Sequence, residues 1–293
     1  MYKSLVNILD SYMFFMLKEV GRSRNMNREF IKDVKRVVIK VGTNSIMKSG
    51  LEVNYQQLDR IAFVCKSLMQ DGVQVVLVTS GAIGVGASLM KLEKYPETIP
   101  DQQAISSIGQ TTLMTLYSQF FNHYNQVVGQ ILFTKDIIDF PTSYKNMQNA
   151  LIRLLQKKVV PIINENDAVS VDELNHETKF GDNDTLSAYI AQTVNADLLI
   201  ILSDVDGLYT ANPNEVANSK LISGVSEITG EIKKMASGKG SEFATGGMAT
   251  KLRAAELMLE NNRHMIITNA KDPRIVFDVL DGKQIGTLFS KNI

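Results

Sequence analysis

Two lysines stand where lysine is costly. Lys40 interrupts the apolar run "RVVIKV" (36–41), and Lys251 opens a helical pattern directly after "TGGMAT". A lysine in an apolar strand is rarely buried without a partner. Either it reaches solvent from an edge strand, or it points to the strand end and neutralises phosphate oxygens. Lys251 carries the same pair of readings, a solvated surface lysine or the counterpart of Lys40. Glycines accompany both: Gly42 follows Lys40, Gly81 opens "GAIGVGAS", and Gly246 and Gly247 precede Lys251. Glycine leaves backbone N–H groups unobstructed, and a helix N-terminus adds partial positive charge, so such loops suit anions. Phosphoryl transfer asks the protein mainly for positioning and for cations around the migrating group. Two lysines with glycine amides are sufficient parts. The site is of neither common type, because GxxxxGK(S/T) does not occur and "GAIGVG" does not complete GxGxxG.

A second concentration of chemistry lies in "INENDAVSVDELNHETKFGDND" (163–184). It holds seven carboxylates (Glu165, Asp167, Asp172, Glu173, Glu177, Asp182, Asp184) against one lysine, Lys179, in a chain balanced at 31 basic and 31 acidic residues. A metal cage, a solvated loop and a cradle for a cationic substrate are the candidates. A single cysteine, Cys65, and three histidines without HExxH spacing exclude a disulfide framework and make a zinc hydrolase improbable. Cys65 sits at a core-spaced helical position and reads as a small buried hydrophobe. Zero formal net charge argues against a dedicated nucleic-acid binder.

Short apolar runs alternate with helical patterns and must position these groups. "RVVIKV", "VQVVLVTS" (73–80), "VVGQILF" (127–133), "VVPIIN" (159–164), "DLLIILSDV" (197–205) and "HMIITNA" (264–270) read as strands. Between them, helical spacing is seen from Leu58 to Met69, through Ile105, Ile108, Leu113, Leu116, Tyr117 and Phe120, around 143–157, and from Leu186 to Val194. "GGMATKLRAAELMLENN" becomes a helix, and "PRIVFDVL" is a final one. Near-continuous apolar strands separated by helices predict an α/β fold, a three-layer α/β/α sandwich around a mostly parallel sheet. Ligands in such sheets collect beyond the carboxyl ends of the strands. Lys40–Ser45, Thr79–Gly86, Asn164–Asp167 and Ser203–Gly207 lie at such ends. The N-terminal "SLVNILDSYMFFMLKEV" is interrupted by Asp10, is too short to span a membrane and lacks a cleavage site. It reads as an amphipathic segment, or as residues upstream of a start at Met26, and the chain as cytoplasmic with no membrane association.

Six motifs together, "VVIKVGTNS", "VTSGAIGVGAS", "INENDAV", "FGDNDTLSA", "DLLIILSDVDGLYTANP" and "ATGGMATKLRAA", resemble the glutamate 5-kinases of the amino acid kinase family, in that order. The resemblance covers roughly residues 34–290. It implies the amino acid kinase fold over 31–293, with 1–30 an extension of no assigned role and no C-terminal PUA domain. It implies transfer of the γ-phosphoryl group of ATP to the side-chain carboxylate of L-glutamate, giving γ-glutamyl phosphate for proline biosynthesis.

Residue by residue, Lys40, Lys251 and Asp184 take catalytic positions, with Asp184 orienting the two lysines. Ser80, Gly81, Asp167, Asp182 and Asn183 fall on the glutamate side. Lys40, Gly42, Ser203, Asp204 and the run Thr245, Gly246, Gly247, Met248, Ala249, Thr250, Lys251 fall on the ATP side. Ser203 stands where many relatives have threonine and keeps the hydroxyl. The acidic stretch then reads as a cradle for the α-ammonium of glutamate; Asp172, Glu173 and Glu177 read as solvated, and His176 as uncatalytic. No residue is assigned as a metal ligand, since Asp182 and Asp184 lack the EF-hand continuation and Mg²⁺ arrives with ATP. The resemblance further implies feedback inhibition by L-proline, a homo-oligomer (dimer or tetramer) and hand-off of the product to glutamyl phosphate reductase. The competing readings are a relative acting on acetylglutamate, aspartate, carbamate or UMP, and a non-catalytic amino-acid sensor on the same fold.

Overall fold

The computed structural model describes residues 27–169, 183–213, 215–216, 218–237 and 247–293. After a 3-10 turn (Glu29–Asp33) come β1 (Arg36–Val41), the one-turn α1 (Thr43–Ile46), the hairpin β2 (Met47–Lys48) and β3 (Glu52–Val53), α2 (Tyr55–Gln70) and β4 (Gln74–Val78). The chain continues through α3 (Ala82–Leu89), α4 (Ile99–His123), β5 (Val128–Phe133), the one-turn α5 (Asp136–Asp139), α6 (Pro141–Gln156) and β6 (Val160–Glu165). It closes with α7 (Asn183–Thr193), β7 (Leu198–Ser203), β8 (Gly224–Val225), α8 (Gly230–Ser237), α9 (Met248–Glu260), β9 (His264–Asn269), α10 (Ile275–Leu280) and β10 (Thr287–Phe289).

Among the described residues one sheet runs β5-β6-β4-β1-β7-β9-β10-β8, parallel except where β10 meets β9. The predicted mostly parallel sheet is thus observed. β8 and β10 extend it beyond what the apolar runs indicate, because segments of two and three residues carry no readable period.

Two layers of helix cover the sheet. Along β1 the side chains alternate: Val37, Ile39 and Val41 join Leu58, Leu113, Tyr117 and Val276 on the face of α2, α4 and α10, whereas Val38 joins Leu151, Ile190 and Met258 on the face of α6, α7 and α9. Cys65 is fully buried in the first cluster, and burial pushes its thiol up to about 12, which leaves it protonated and inert.

Helix α4 departs from its sequence pattern. Ile108 is exposed, and the buried stripe is Ser106, Gly109, Leu113, Tyr117 and Phe121. The reason is close packing on α3: a Cβ at Gly109 would stand 1.8 Å from the Ala82 carbonyl oxygen, and one at Gly86 would stand 2.2 Å from that of Ile105. Glycine at both positions lets the two backbones touch, which rotates α4 so that its larger apolar residues do not all face inward.

Residues 27–30 fall in the extension as the sequence delimits it, yet they are docked on the sheet's far end. Arg28, 2% exposed, donates to the carbonyls of Ile285 (2.5 Å), Ser223 (2.6 Å) and Lys283 (3.2 Å), and burial holds its guanidinium down at about 10.

Candidate active site

β1 is the central strand of the parallel region, flanked by β4 and β7. The connections from β1 lead first to β4 on one side and later to β7 on the other. This reversal opens a crevice at the carboxyl end of β1. Lys40 sits in register with Val78 of β4 and Ile201 of β7. The loop Thr79–Gly81 therefore emerges on one side of it and Ser203–Asp204 on the other.

The edge-strand reading of Lys40 is excluded by this position. By alternation its side chain shares the face of Val38, where the first turns of α7 and α9 meet it. Lys40 is 7%, Lys251 8% and Asp184 1% exposed. Asp184 Oδ1 lies 2.6 Å from Lys40 Nζ, and Oδ2 accepts from Lys251 Nζ at 3.1 Å and from Thr250 Oγ1 at 3.0 Å. Burial works against ionisation of this carboxyl, but the attraction of Lys40 and then Lys251 outweighs it and holds its pKa below the usual carboxylate value. Two ammonium groups against one carboxylate leave a buried net positive charge at the crevice. Burying charge in this way is unfavourable until an anion completes the pairing.

On the β4–β6 side, Gly81 adopts a left-handed conformation (φ 96°) and caps α3; a Cβ there would meet Ile46 Cδ1 at 2.6 Å. The preceding Thr79 and the α4 residue Tyr117, both fully buried, share a hydroxyl contact of 2.8 Å that anchors the loop from behind. Ser80 accepts from Asn183 Nδ2 at 2.8 Å, and the same amide lies 3.3 Å from Asn164 Oδ1. Half-buried Asp167 lines a cleft of ≈ 360 Å³ together with Ala82, Gln110, Glu165 and Asn166.

On the β7–β9 side, Ser203 is buried at the end of β7 and its Oγ donates to exposed Asp204 at 3.1 Å. Gly247 caps α9 with φ 75° and ψ −124°, a conformation open essentially to glycine. Met248, Ala249 and Thr250 form the half-buried first turn that delivers Lys251. Gly42 is different: its φ of −84° suits any residue, and what its missing side chain provides is clearance, since a Cβ would stand 3.5 Å from Lys40 Nζ. Asp182, Thr245 and Gly246 lie outside the described residues, as do Asp172, Glu173, His176 and Glu177.

The structure therefore brings Lys40, Asp184 and Lys251 into direct contact and sets Ser80, Gly81, Asp167 and Asn183 on one side of them, Ser203, Asp204 and Gly247–Thr250 on the other. Buried Tyr117 and half-buried Gln110, which no motif flagged, complete the site's supports together with buried Asn164 of "INENDAV". Gln110 and Tyr117 are seven apart on α4, and only that spacing, two helical turns on one face, offers a signal in the sequence.

The sequence of this chain matches the amino acid kinase family model over residues 35–269, and the chain belongs to that family. Over 263 residues, 90% of this chain and 95% of the relative, it is 51% identical to the glutamate 5-kinase of Listeria monocytogenes. The glutamate 5-kinase of Lactococcus lactis is 49% identical over 90% of this chain and 98% of its own length, and that of Streptococcus agalactiae 50% identical over 91% and 99%. The solved structure of UMP kinase from Bacillus anthracis superposes with a TM-score of 0.61 at 18% identity, covering 89% of this chain and 97% of that one, a likeness of fold.

Proposed function

We infer that the chain is a glutamate 5-kinase, moving the γ-phosphoryl group of ATP onto the side-chain carboxylate of L-glutamate in the first step of proline biosynthesis. The observation that carries the reading is the Lys40–Asp184–Lys251 contact at the boundary between the two halves of the crevice. It is supported by the glutamate 5-kinase relatives at about half identity over nine-tenths of the chain.

In this reading the β7–α9 half takes ATP and the β4–β6 half takes glutamate. Reaction is in line across Lys40. Asp184 holds both lysine side chains aimed at the crevice. As charge spreads over the equatorial oxygens of the migrating group, Lys251 and Lys40 oppose it in a dry pocket, where such contacts are strongest. Gly42 leaves room above the Lys40 amine for a phosphate oxygen. Ser80 and Asn183 supply polar contacts to the acceptor, and Asp167, with Asp182, partners the α-ammonium. Kinases of this family use ATP with a divalent metal. We take it to be Mg²⁺, which would arrive with ATP and would neutralise phosphate charge. Among the described residues no group of three or more His, Cys, Asp or Glu is placed to hold a metal.

The test is Mg²⁺-dependent ADP release with ATP and a panel of L-glutamate, N-acetylglutamate, L-aspartate, carbamate and UMP. Turnover selective for glutamate is expected. Selectivity for another acceptor would overturn the assignment of the β4–β6 half, and silence from protein that binds ATP would favour the sensor reading. UMP is the least suited of these, because a phosphate-bearing acceptor needs basic residues where this chain is acidic.

Among the described residues no helix is long and apolar enough to cross a membrane. We place the enzyme in the cytoplasm as a homo-oligomer, handing its labile acyl phosphate to a reductase. The cradle that holds glutamate by its α-amino acid group also suits L-proline. Millimolar proline is expected to raise the apparent KM for glutamate, and a saturation curve unmoved by it would remove the inhibitor from this site.

A further inference from the structure

The acceptor half contains a chain of amides whose far end lies outside every motif. Gln110 Oε1 accepts from Asn164 Nδ2 at 2.7 Å. Asn164 Oδ1 in turn accepts from the backbone N–H of Glu165 (3.0 Å) and faces Asn183 Nδ2 (3.3 Å), and Asn183 Nδ2 donates to Ser80 Oγ (2.8 Å). Each contact fixes which end of the next amide is oxygen and which is nitrogen. The Glu165 N–H holds the oxygen end of Asn164, Gln110 holds its nitrogen end, and Asn183 is left with its nitrogen toward Ser80 and its Oδ1 unspent.

Among the described residues, two buried atoms of this amide chain have no hydrogen-bond partner, Gln110 Nε2 and Asn183 Oδ1. A buried donor or acceptor left unmade is unfavourable, and a bound water, ion or ligand group is what completes it in native proteins. Asn183 Oδ1 is an acceptor on the half of the crevice assigned to the acceptor, on the same amide that contacts Ser80. Gln110 borders the same cleft as Glu165, Asn166 and Asp167.

We propose that Gln110 is a positioning residue for the acceptor: through Asn164 it sets the orientation of the Asn183 amide, and so the affinity for an α-amino acid. This rests on the functional reading above. It concerns only the acceptor half, because the chain of contacts stops at Ser80 and reaches neither Lys40 nor Lys251.

The test compares Gln110→Met, which keeps size and removes the acceptor, with Gln110→Glu, which keeps an oxygen for Asn164 Nδ2. Gln110→Met is expected to raise KM for L-glutamate at least tenfold, leaving KM for ATP and kcat within about threefold. Its melting temperature should change little, because one orphan donor (Nε2) is exchanged for another (Asn164 Nδ2). Gln110→Glu is expected to keep KM for glutamate within about threefold of the parent. A Gln110→Met enzyme with parental KM, or a Gln110→Glu enzyme as impaired as Gln110→Met, would overturn the proposal. If Gln110→Met does not fold, the Gln110→Glu result decides alone. A parent enzyme that turns over another acceptor of the panel refutes the glutamate assignment, and the same comparison is then read on that acceptor. A parent silent on the whole panel overturns both.

Discussion

Asp184→Asn is expected to cost both stability and turnover. The substitution preserves volume but leaves Lys40 and Lys251, each less than a tenth exposed, facing one another without a counter-charge. Removing one member of a buried ion pair typically costs 3–5 kcal/mol, because the partner's desolvation is no longer offset. Here two partners are stranded. The lysines would also lose their fixed direction, so kcat should fall by roughly 100- to 1,000-fold, the range seen when one transition-state donor is lost. ATP supplies negative charge at the same place, so saturating ATP should raise the melting temperature of the variant by more than it raises that of the parent.

The pH dependence follows with a definite sign. The folded-state pKa of Asp184 is depressed below its unfolded value. Its contribution is therefore complete above the unfolded value of about 3.9 and is lost as pH falls through the folded one. The parent should lose this stability on acidification below about pH 4, and Asp184→Asn should lack that component. Equal acid sensitivity in the two proteins would mean that the carboxylate is not paired in solution as it is in the structure.

Lys251→Ala is the second large effect. Lys251 enters from the first turn of α9 and reaches Asp184 Oδ2 at 3.1 Å, while Lys40 approaches Oδ1 from β1. Its removal leaves one lysine and one carboxylate, a neutral pair, so the fold should tolerate it better than Asp184→Asn. Chemistry should not. A fall in kcat of about 100-fold or more, about 3 kcal/mol of transition-state stabilisation, is expected. The KM values for ATP and glutamate should move much less, because the interaction counts most when charge is spread over the transferring group. Near-normal turnover in this variant would take Lys251 out of the mechanism.

Much of this architecture is legible in the chain, for reasons that can be named. β1 has six residues with five of them buried, so its apolar run stands out and Lys40 within it is conspicuous. Period-two alternation then fixes the face to which Lys40 points, and strand-end glycines mark the crevice. What stays hidden is hidden by length or by distance. β8 and β10 are too short to carry a pattern. The burial of α4 is set by Gly109 against the Ala82 carbonyl, a backbone contact that no apolar spacing registers. Gln110 and Asn164 are 54 residues apart and meet only because α4 packs behind the end of β6. Asp184 is the intermediate case. Composition and spacing leave it one of seven neighbouring carboxylates; the family resemblance picks it out, and the fold gives the physical reason by holding it between two lysines.

The central claim is transfer of phosphate to a carboxylate, which makes an acyl phosphate that hydroxylamine intercepts. The most direct measurement is to run the Mg²⁺-ATP reaction with L-glutamate and hydroxylamine and to quantify ADP and γ-glutamyl hydroxamate together. Equal amounts of the two, both abolished by omitting glutamate, are predicted. ADP formed without hydroxamate, or hydroxamate formed only with a different acceptor, would contradict the account.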